Sequence, residues 1–212
     1  MDNNAVKAHF NTIASSYDKY KTRNKTYYFV LKQTVKSLLT GKNHTVLDIG
    51  CGTGDILHFL NPSFGVGIDI SSQMIKLAKN KYRSCNHLIF KVHDIEKKLV
   101  KGKFSFILLL DVIEHLKDKN RALSHISQMM DKDTVLIISM ANPFWEPLLL
   151  ILEKLRLKMP AGPHFRIREN EFISILKKHN LHIIKKVVSF PKTDIPLLMK
   201  IALIYAYKIK KY

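Results

Sequence analysis

The stretch VLDIGCGTGD, Val46 to Asp55, constrains the fold more than any other part of this chain. Val46, Leu47 and Ile49 are apolar and partly β-branched, as expected at the end of a buried strand. Gly50, Gly52 and Gly54 then break the pattern. Glycine allows positive φ and close approach of other atoms to the backbone. Leu57, Phe59 and Leu60 follow as a short helix packing back on a sheet would. The stretch therefore reads as strand, tight loop and helix start. An α/β protein holds its ligand at such a place, at the carboxyl end of a strand. Two common loop chemistries do not fit. A dinucleotide fingerprint needs G-x-G-x-x-G and a P-loop needs a lysine after its last glycine, whereas this loop is G-x-G-x-G without one.

The rest of the chain repeats the strand and helix alternation. FGVGIDIS (64–71), HLIFKVHD (87–94), FSFILLLD (104–111), TVLIISM (134–140) and LHIIKKVVSF (181–190) read as further strands. The run at 104–111 is apolar on both faces, as a central parallel strand should be. Helices are expected after Ser71 or Ser72 as N-cap, over 118–130 and over 169–179. In the polar, helical N-terminal segment, Phe29, Val30, Val35, Leu38 and Leu39 mark an apolar helix stripe. The last stretch, IPLLMKIALIYAYKIKKY, fits a terminal edge strand or an amphipathic helix. The expected fold is α/β, Rossmann-like and doubly wound, a mostly parallel seven-stranded sheet with helices on both faces. With no repeats or low-complexity linkers, residues 1–212 read as a single domain.

Composition narrows the function classes. No apolar run reaches the ~18–20 residues of a membrane span. The start, MDNNAVKAHF, lacks an apolar signal core, so no secretory signal is expected. Cys51 and Cys85 give neither a disulfide framework nor a zinc pattern. No metal site is expected, and the setting is read as reducing and cytoplasmic. Lysine and arginine number 35 against 17 acids, a net charge of +18. Such a surface attracts nucleic acid or an anionic membrane, at the inner face of which the protein could sit peripherally. A lysine-rich composition of the AT-rich-genome kind accounts for the charge equally well.

Asp69 ends the second strand, 19 residues after Gly50. In nucleotide-binding α/β folds an acid about 20 residues past the loop accepts both ribose hydroxyls. A helix N-cap is the plainer role for it. Ile70 and Met74 would then flank an adenine.

D-I-G-C-G-T-G, with Asp48 ahead of the first glycine, resembles motif I of the class I S-adenosylmethionine (SAM) methyltransferases. The resemblance implies SAM as cofactor. It implies that the loop Gly50, Cys51, Gly52, Thr53 and Gly54 wraps the amino-acid end of SAM, with Asp48 helping to hold its ammonium group. It also implies that Asp94 binds the adenine amino group, with Ile95 packing beside the ring. FSFILLLDVIEHL resembles the segment after the fourth strand in the methyltransferase-11 type. That likeness implies that Leu110 and Asp111 line the sulfur end and that His115 lies near the pocket floor. HFNTIASSYDKY (9–20) is similar to the F-x-x-I-A-x-x-Y-D lid segment of small-molecule and quinone-type members. It implies that residues 1–40 form lid helices and that Tyr17 reaches the SAM site.

The substrate side is expected in the insertion 141–168. Trp145, Leu148, Leu149, Leu152, Leu155 and Met159 recur near helical spacing among basic residues, fitting a membrane-interface helix or a helix packed over the site. LRLKMPAGPHFRIRENEF is similar in layout to the insertion of the ubiquinone-biosynthesis O-methyltransferases, with Pro163 where those carry Thr. The likeness implies a small, lipophilic acceptor, with O-methylation favoured. An oxygen acceptor needs a base, for which His164 is the first candidate and His115 the second. Arg166 and Arg168 could steer an anionic acceptor. The alternative is a nucleic-acid (RNA) methyltransferase using the basic surface. Base amino methylation goes with N-P-P-[YFW] after the fourth strand, where this chain reads L-D-V-I-E-H.

Overall fold

The structure is a computed structural model, which describes residues 3–141, 162–165, 167–189 and 204–212. Two helices come first, α1 (Asn4–Arg23) and α2 (Lys25–Leu38). Then follow β1 (Thr45–Ile49), α3 (Asp55–Leu60), β2 (Phe64–Asp69), α4 (Ser72–Lys81), β3 (Leu88–Val92) and β4 (Phe106–Leu110). A short 3₁₀ turn spans Ile113–His115. The chain continues with α5 (Lys119–Met129), β5 (Val135–Ala141), α6 (Glu169–Lys178), β6 (Leu181–Ser189) and β7 (Ile204–Lys211).

The seven strands form one sheet in the order β3-β2-β1-β4-β5-β7-β6. β1 pairs in parallel with β2 and β4, and parallel pairing continues outward to β3 and β5. β7 runs antiparallel to both β5 and β6. The terminal segment is therefore a strand, but not an edge strand. It inserts between β5 and β6, and β6 takes the edge.

Each sheet face is sealed separately. On one, Leu31, Val35 and Leu38 of α2 and Ile56 and Leu57 of α3 pack over Val46, Leu108 and Ile137. On the other, Ala122, Leu123 and Ile126 of α5 and Phe172 and Leu176 of α6 cover Leu47, Leu109 and Leu136. Burial on both faces explains why β4 reads as an unbroken apolar run. Ser71 caps α4, its Oγ accepting from the Met74 N–H at 3.1 Å. The α2 stripe corrects the sequence reading. The buried side is Leu31, Thr34, Val35 and Leu38, whereas Phe29 is 61% exposed on the opposite side.

Candidate active site

Strand order reverses between β1 and β4, so the connections leaving these strands diverge and open a crevice at their carboxyl ends. The glycine loop leaves β1 into that crevice. The Gly50 and Cys51 N–H groups both donate to the Ile68 carbonyl, at 2.8 and 3.0 Å, tying the loop to β2. Gly50 sits at φ +74°, and a Cβ there would lie 2.3 Å from a Val112 methyl. Gly52, at φ +54°, has the Tyr17 ring over it, 3.3 Å from where a Cβ would stand. Only glycine meets both conditions, a left-handed backbone and a side chain of another element lying on it.

Asp48 is 2% exposed in the floor of this crevice. Its buried Oδ2 has no hydrogen-bond partner among the described residues. Burial lifts the carboxyl to about 7, against the pull of Lys21, with Asp69 pushing it further up. A buried carboxylate oxygen without a donor is costly unless a ligand supplies one. An ammonium group is such a donor.

Asp69 stands at the end of β2 with both oxygens oriented. Oδ2 accepts the Gly52 N–H at 2.9 Å and Oδ1 accepts the Ser71 N–H at 2.8 Å. A carboxylate has about four acceptor positions, so each oxygen keeps one for a vicinal diol. Burial pushes its pKa up, opposed by the two backbone N–H groups. Since Ser71 caps α4, Asp69 is not the cap. Ile70 is half-buried next to it, and Met74 is buried against Ile13 and Ala14 of α1. Asp94 is half-buried beyond β3, accepting from the Asn3 amide at 3.1 Å and the Glu96 N–H at 3.0 Å. Ile95 is 4% exposed and sits in the core with Leu47 and Ile49.

Helix α1 crosses the loops that close the crevice. Asn11 accepts from the Ser71 hydroxyl at 2.7 Å. Asp18 accepts from the Thr53 hydroxyl at 2.7 Å, so that side chain is tied to α1. Lys21 pairs with Asp55 at 3.2 Å and lies 4.7 Å from the Tyr17 ring centroid. Burial works to raise the Asp55 pKa, but Lys21, Lys81 and the Tyr82 hydroxyl hold it below its ordinary value. Burial raises the Tyr17 pKa, helped by Asp69, Asp111 and Asp55, so the phenol stays protonated. Cys51 is 6% exposed, and burial keeps its thiol protonated too.

Leu110 ends β4, 9% exposed, and Asp111 follows at φ +54°. A non-glycine residue in the left-handed region carries strain that surrounding contacts must hold. Here Tyr27 of α2 donates to Asp111 Oδ2 at 2.7 Å, and the Ser139 hydroxyl donates to Oδ1 at 2.6 Å.

The two candidate bases meet at the 3₁₀ turn that follows β4. The His115 and His164 rings pack edge to face with centroids 4.6 Å apart. Phe10 of α1 packs edge-on against His115 at 5.1 Å. His115 Nδ1 lies 3.0 Å from the Pro163 carbonyl oxygen, which can only accept, so Nδ1 carries the proton. Neutral His115 therefore keeps its lone pair on Nε2. The Phe165 N–H donates to the Glu114 carbonyl at 2.7 Å, pinning the 162–165 turn to the 3₁₀ turn. His164 is exposed.

Sequence reading missed Lys21, Tyr27, Phe10 and His9, whose ring lies 2.5 Å from where a Gly162 Cβ would be. Helical spacing carried part of the signal, since Phe10, Ile13, Ala14, Tyr17 and Lys21 recur every three or four residues on one face of α1. Residues 142–161 and Arg166 lie outside the described residues, and with them the Trp145 to Met159 stripe. Arg168 is exposed at the start of α6. Among the described residues no group of three or more His, Cys, Asp or Glu side chains could hold a metal.

A family model described as a methyltransferase domain matches residues 22–186. The ubiquinone biosynthesis O-methyltransferase of Pelagibacter ubique is 30% identical over 186 residues, 83% of this chain and 75% of that protein. An uncharacterized protein of Methanocaldococcus jannaschii is 33% identical over 144 residues, 65% of this chain and 52% of its own. The chain spans about half the length of the first relatives it matches. Magnesium protoporphyrin IX methyltransferase from Synechocystis PCC 6803, solved with bound SAH, superposes with a TM-score of 0.72 at 21% identity, covering 100% of both chains. This chain belongs to the SAM-dependent methyltransferase family. Its residues fit the family's cofactor, with the unpartnered Asp48 oxygen for a cation, the oriented Asp69 carboxylate for a diol, and a glycine cradle between them.

Proposed function

We propose that this chain transfers the methyl group of SAM to a small, lipophilic, quinone-like acceptor, at oxygen. The observation that carries this reading is His115, held as the Nδ1–H tautomer by the Pro163 carbonyl, between the Phe10 and His164 rings. When bound, SAM supplies an electrophilic methyl on a sulfonium. Asp48 would hold the ammonium and Asp69 the ribose hydroxyls, which would orient the methyl. The chain's main contribution is position, since holding two reactants in near-attack geometry removes much of the barrier. As the acceptor hydroxyl displaces the neutral thioether at the methyl carbon, the new O–C bond replacing the broken C–S bond, His115 Nε2 would take the hydroxyl proton, and the Nδ1–H bond to Pro163 keeps the ring from turning. Helix α1, lying over the loops, excludes water. The ubiquinone-biosynthesis relative supports an oxygen acceptor of this kind.

The test is a transfer assay with methyl-labelled SAM on a cell extract divided into lipid, soluble and nucleic-acid fractions. Label in the lipid fraction, lost in His115→Ala while SAM still binds, supports the reading. Label in nucleic acid overturns it and makes the +18 charge the guide to the acceptor.

A further inference from the structure

Helix α2 turns a face to solvent that the chemistry above does not use. Lys25, Phe29, Gln33 and Lys36 recur at i, i+4, i+8 and i+11, all exposed and opposite the buried Leu31, Thr34, Val35 and Leu38. Phe29 is 61% exposed among them. Lys32 and Lys36 both lean over the Phe59 ring of α3, each 5.4 Å from its centroid. No acid occurs anywhere in α2.

The same sheet face continues this charge. Lys208 of β7 lies opposite Ile137 on one side and Lys185 of β6 on the other. Residues directly opposite in a ladder project to one face. Ile137 packs beneath α2, so both lysines emerge on the α2 side. Two rungs on, Lys210 lies opposite His182. No acid occurs in β6 or β7 either. The far face differs, since Lys186 there pairs with Glu169 and Lys211 donates to the Ser127 carbonyl. Burial and the Lys185 and Lys210 charges push the Lys208 pKa down.

A lysine opposite a lysine weakens a sheet. Lysines on an edge strand are explained as protection against edge-to-edge pairing. That explanation covers Lys185 on β6 but not Lys208, because β7 lies inside the sheet. A single exposed aromatic is ordinary. An exposed aromatic at the centre of an acid-free lysine face has the make-up of a membrane-interface surface.

We infer that the outer face of α2, with Lys185 and Lys208 beside it, docks on an anionic lipid surface with Phe29 set among the headgroups. The charge complementarity is with a diffuse negative surface. Its cations are all lysines, compact point charges, and it lacks the arginine forks that grip nucleic-acid phosphates bidentately. The inference stands apart from the choice of acceptor, which the transfer assay decides.

The experiment is co-sedimentation of the full chain with phosphatidylcholine vesicles, with and without phosphatidylglycerol, at low and high salt. Binding is expected to the anionic vesicles alone and to weaken with salt. Each Lys→Gln change at Lys25, Lys32 or Lys36 should lower the partition coefficient about fivefold, so the triple variant loses about a hundredfold. Phe29→Ala should lower it about tenfold, by loss of buried aromatic area. SAM affinity measured on the same variants should be unchanged, showing that they are folded. No binding to the anionic vesicles overturns the inference, as does equal binding to both vesicle types or full retention by the triple variant. Preferential binding of duplex RNA, lost with the lysines but indifferent to Phe29→Ala, overturns it in favour of nucleic acid.

Discussion

The proposed cofactor half of the cleft and the proposed acceptor half are built by different means. The cofactor half rests on consecutive strand ends, and its decisive contacts run through the backbone. Gly50 and Cys51 bind the Ile68 carbonyl, and Gly52 and Ser71 orient Asp69. Among the described residues, the proposed acceptor half is joined by backbone groups of separate turns, the Phe165 N–H on the Glu114 carbonyl and the Pro163 carbonyl on His115, rather than by consecutive strand ends. Phe10 comes from α1, His115 from the 3₁₀ turn and His164 from the 162–165 turn, and they meet through ring contacts. The first half therefore depends on local backbone conformation and the second on tertiary convergence. It follows that the two should fail separately.

The largest separation is expected from His115→Ala. Loss of a positioned base lowers kcat by about 10²–10⁴, while the SAM dissociation constant stays within about twofold. Stopped-flow transfer and calorimetric binding on one sample measure both, and a parallel loss of SAM binding would merge the two halves. Asp48→Asn is the reverse case. It should raise the SAM dissociation constant about tenfold to a hundredfold, the worth of a charged hydrogen bond, with less effect on turnover at saturating SAM.

Asp48 also sets a pH dependence. Its folded pKa of about 7 lies above the ordinary 3.8. Between these values the native state keeps a proton that the unfolded chain has lost, so this residue's contribution to stability falls as pH rises through that window. Binding a cation needs the charged form. SAM affinity should therefore rise about tenfold per pH unit up to about 7 and level off above it. Calorimetry across pH 5–8.5 checks this, and Asp48→Asn should flatten the curve. A slope that survives the substitution would assign the proton to another group.

What the sequence makes legible follows the same division. The glycine loop, Asp48, Asp69 and the parallel strands show in one sequence because each is tied to a local backbone requirement, a φ near +74° at Gly50 or burial on both faces at 106–110. Phe29 departs from the expected stripe because a helix stripe depends on which phase faces the core, and Val30 and Leu39 on the flanks of the buried face are half-buried. The β7 segment resisted assignment because its lysines alternate with apolar residues, as on an edge strand or an amphipathic helix. Only the partners Leu136 to Ala141 on one side and β6 on the other place it inside the sheet. Nothing in the order of residues 115 and 163 announces the Pro163–His115 bond, since 48 positions of chain separate them.

Tyr27→Phe sharpens the comparison at the boundary of the two halves. Asp111 keeps its left-handed backbone under the Tyr27 and Ser139 hydroxyls. Removing one of two hydroxyls leaves the carboxylate partly satisfied, so a loss of about 1–2 kcal/mol in urea-unfolding stability is expected. A loss below about 0.5 kcal/mol would show that the remaining partners of Asp111, Ser139 among them, suffice.

The smallest effect is expected at His164. Both imidazoles were candidates for the base, and they stand ring against ring. Their surroundings decide between them. His115 has one nitrogen fixed by a carbonyl and Phe10 against its ring, so a proton taken at Nε2 finds a ring already oriented. His164 is exposed, and solvent there offers an alternative partner to any acceptor proton. His164→Ala should therefore lower kcat by less than about fivefold, a small part of the range for a general base. His164→Phe should restore most of that loss, because a ring still braces His115. A hundredfold loss in His164→Ala that Phe does not restore would exchange the two roles and place the proton transfer on the 162–165 turn.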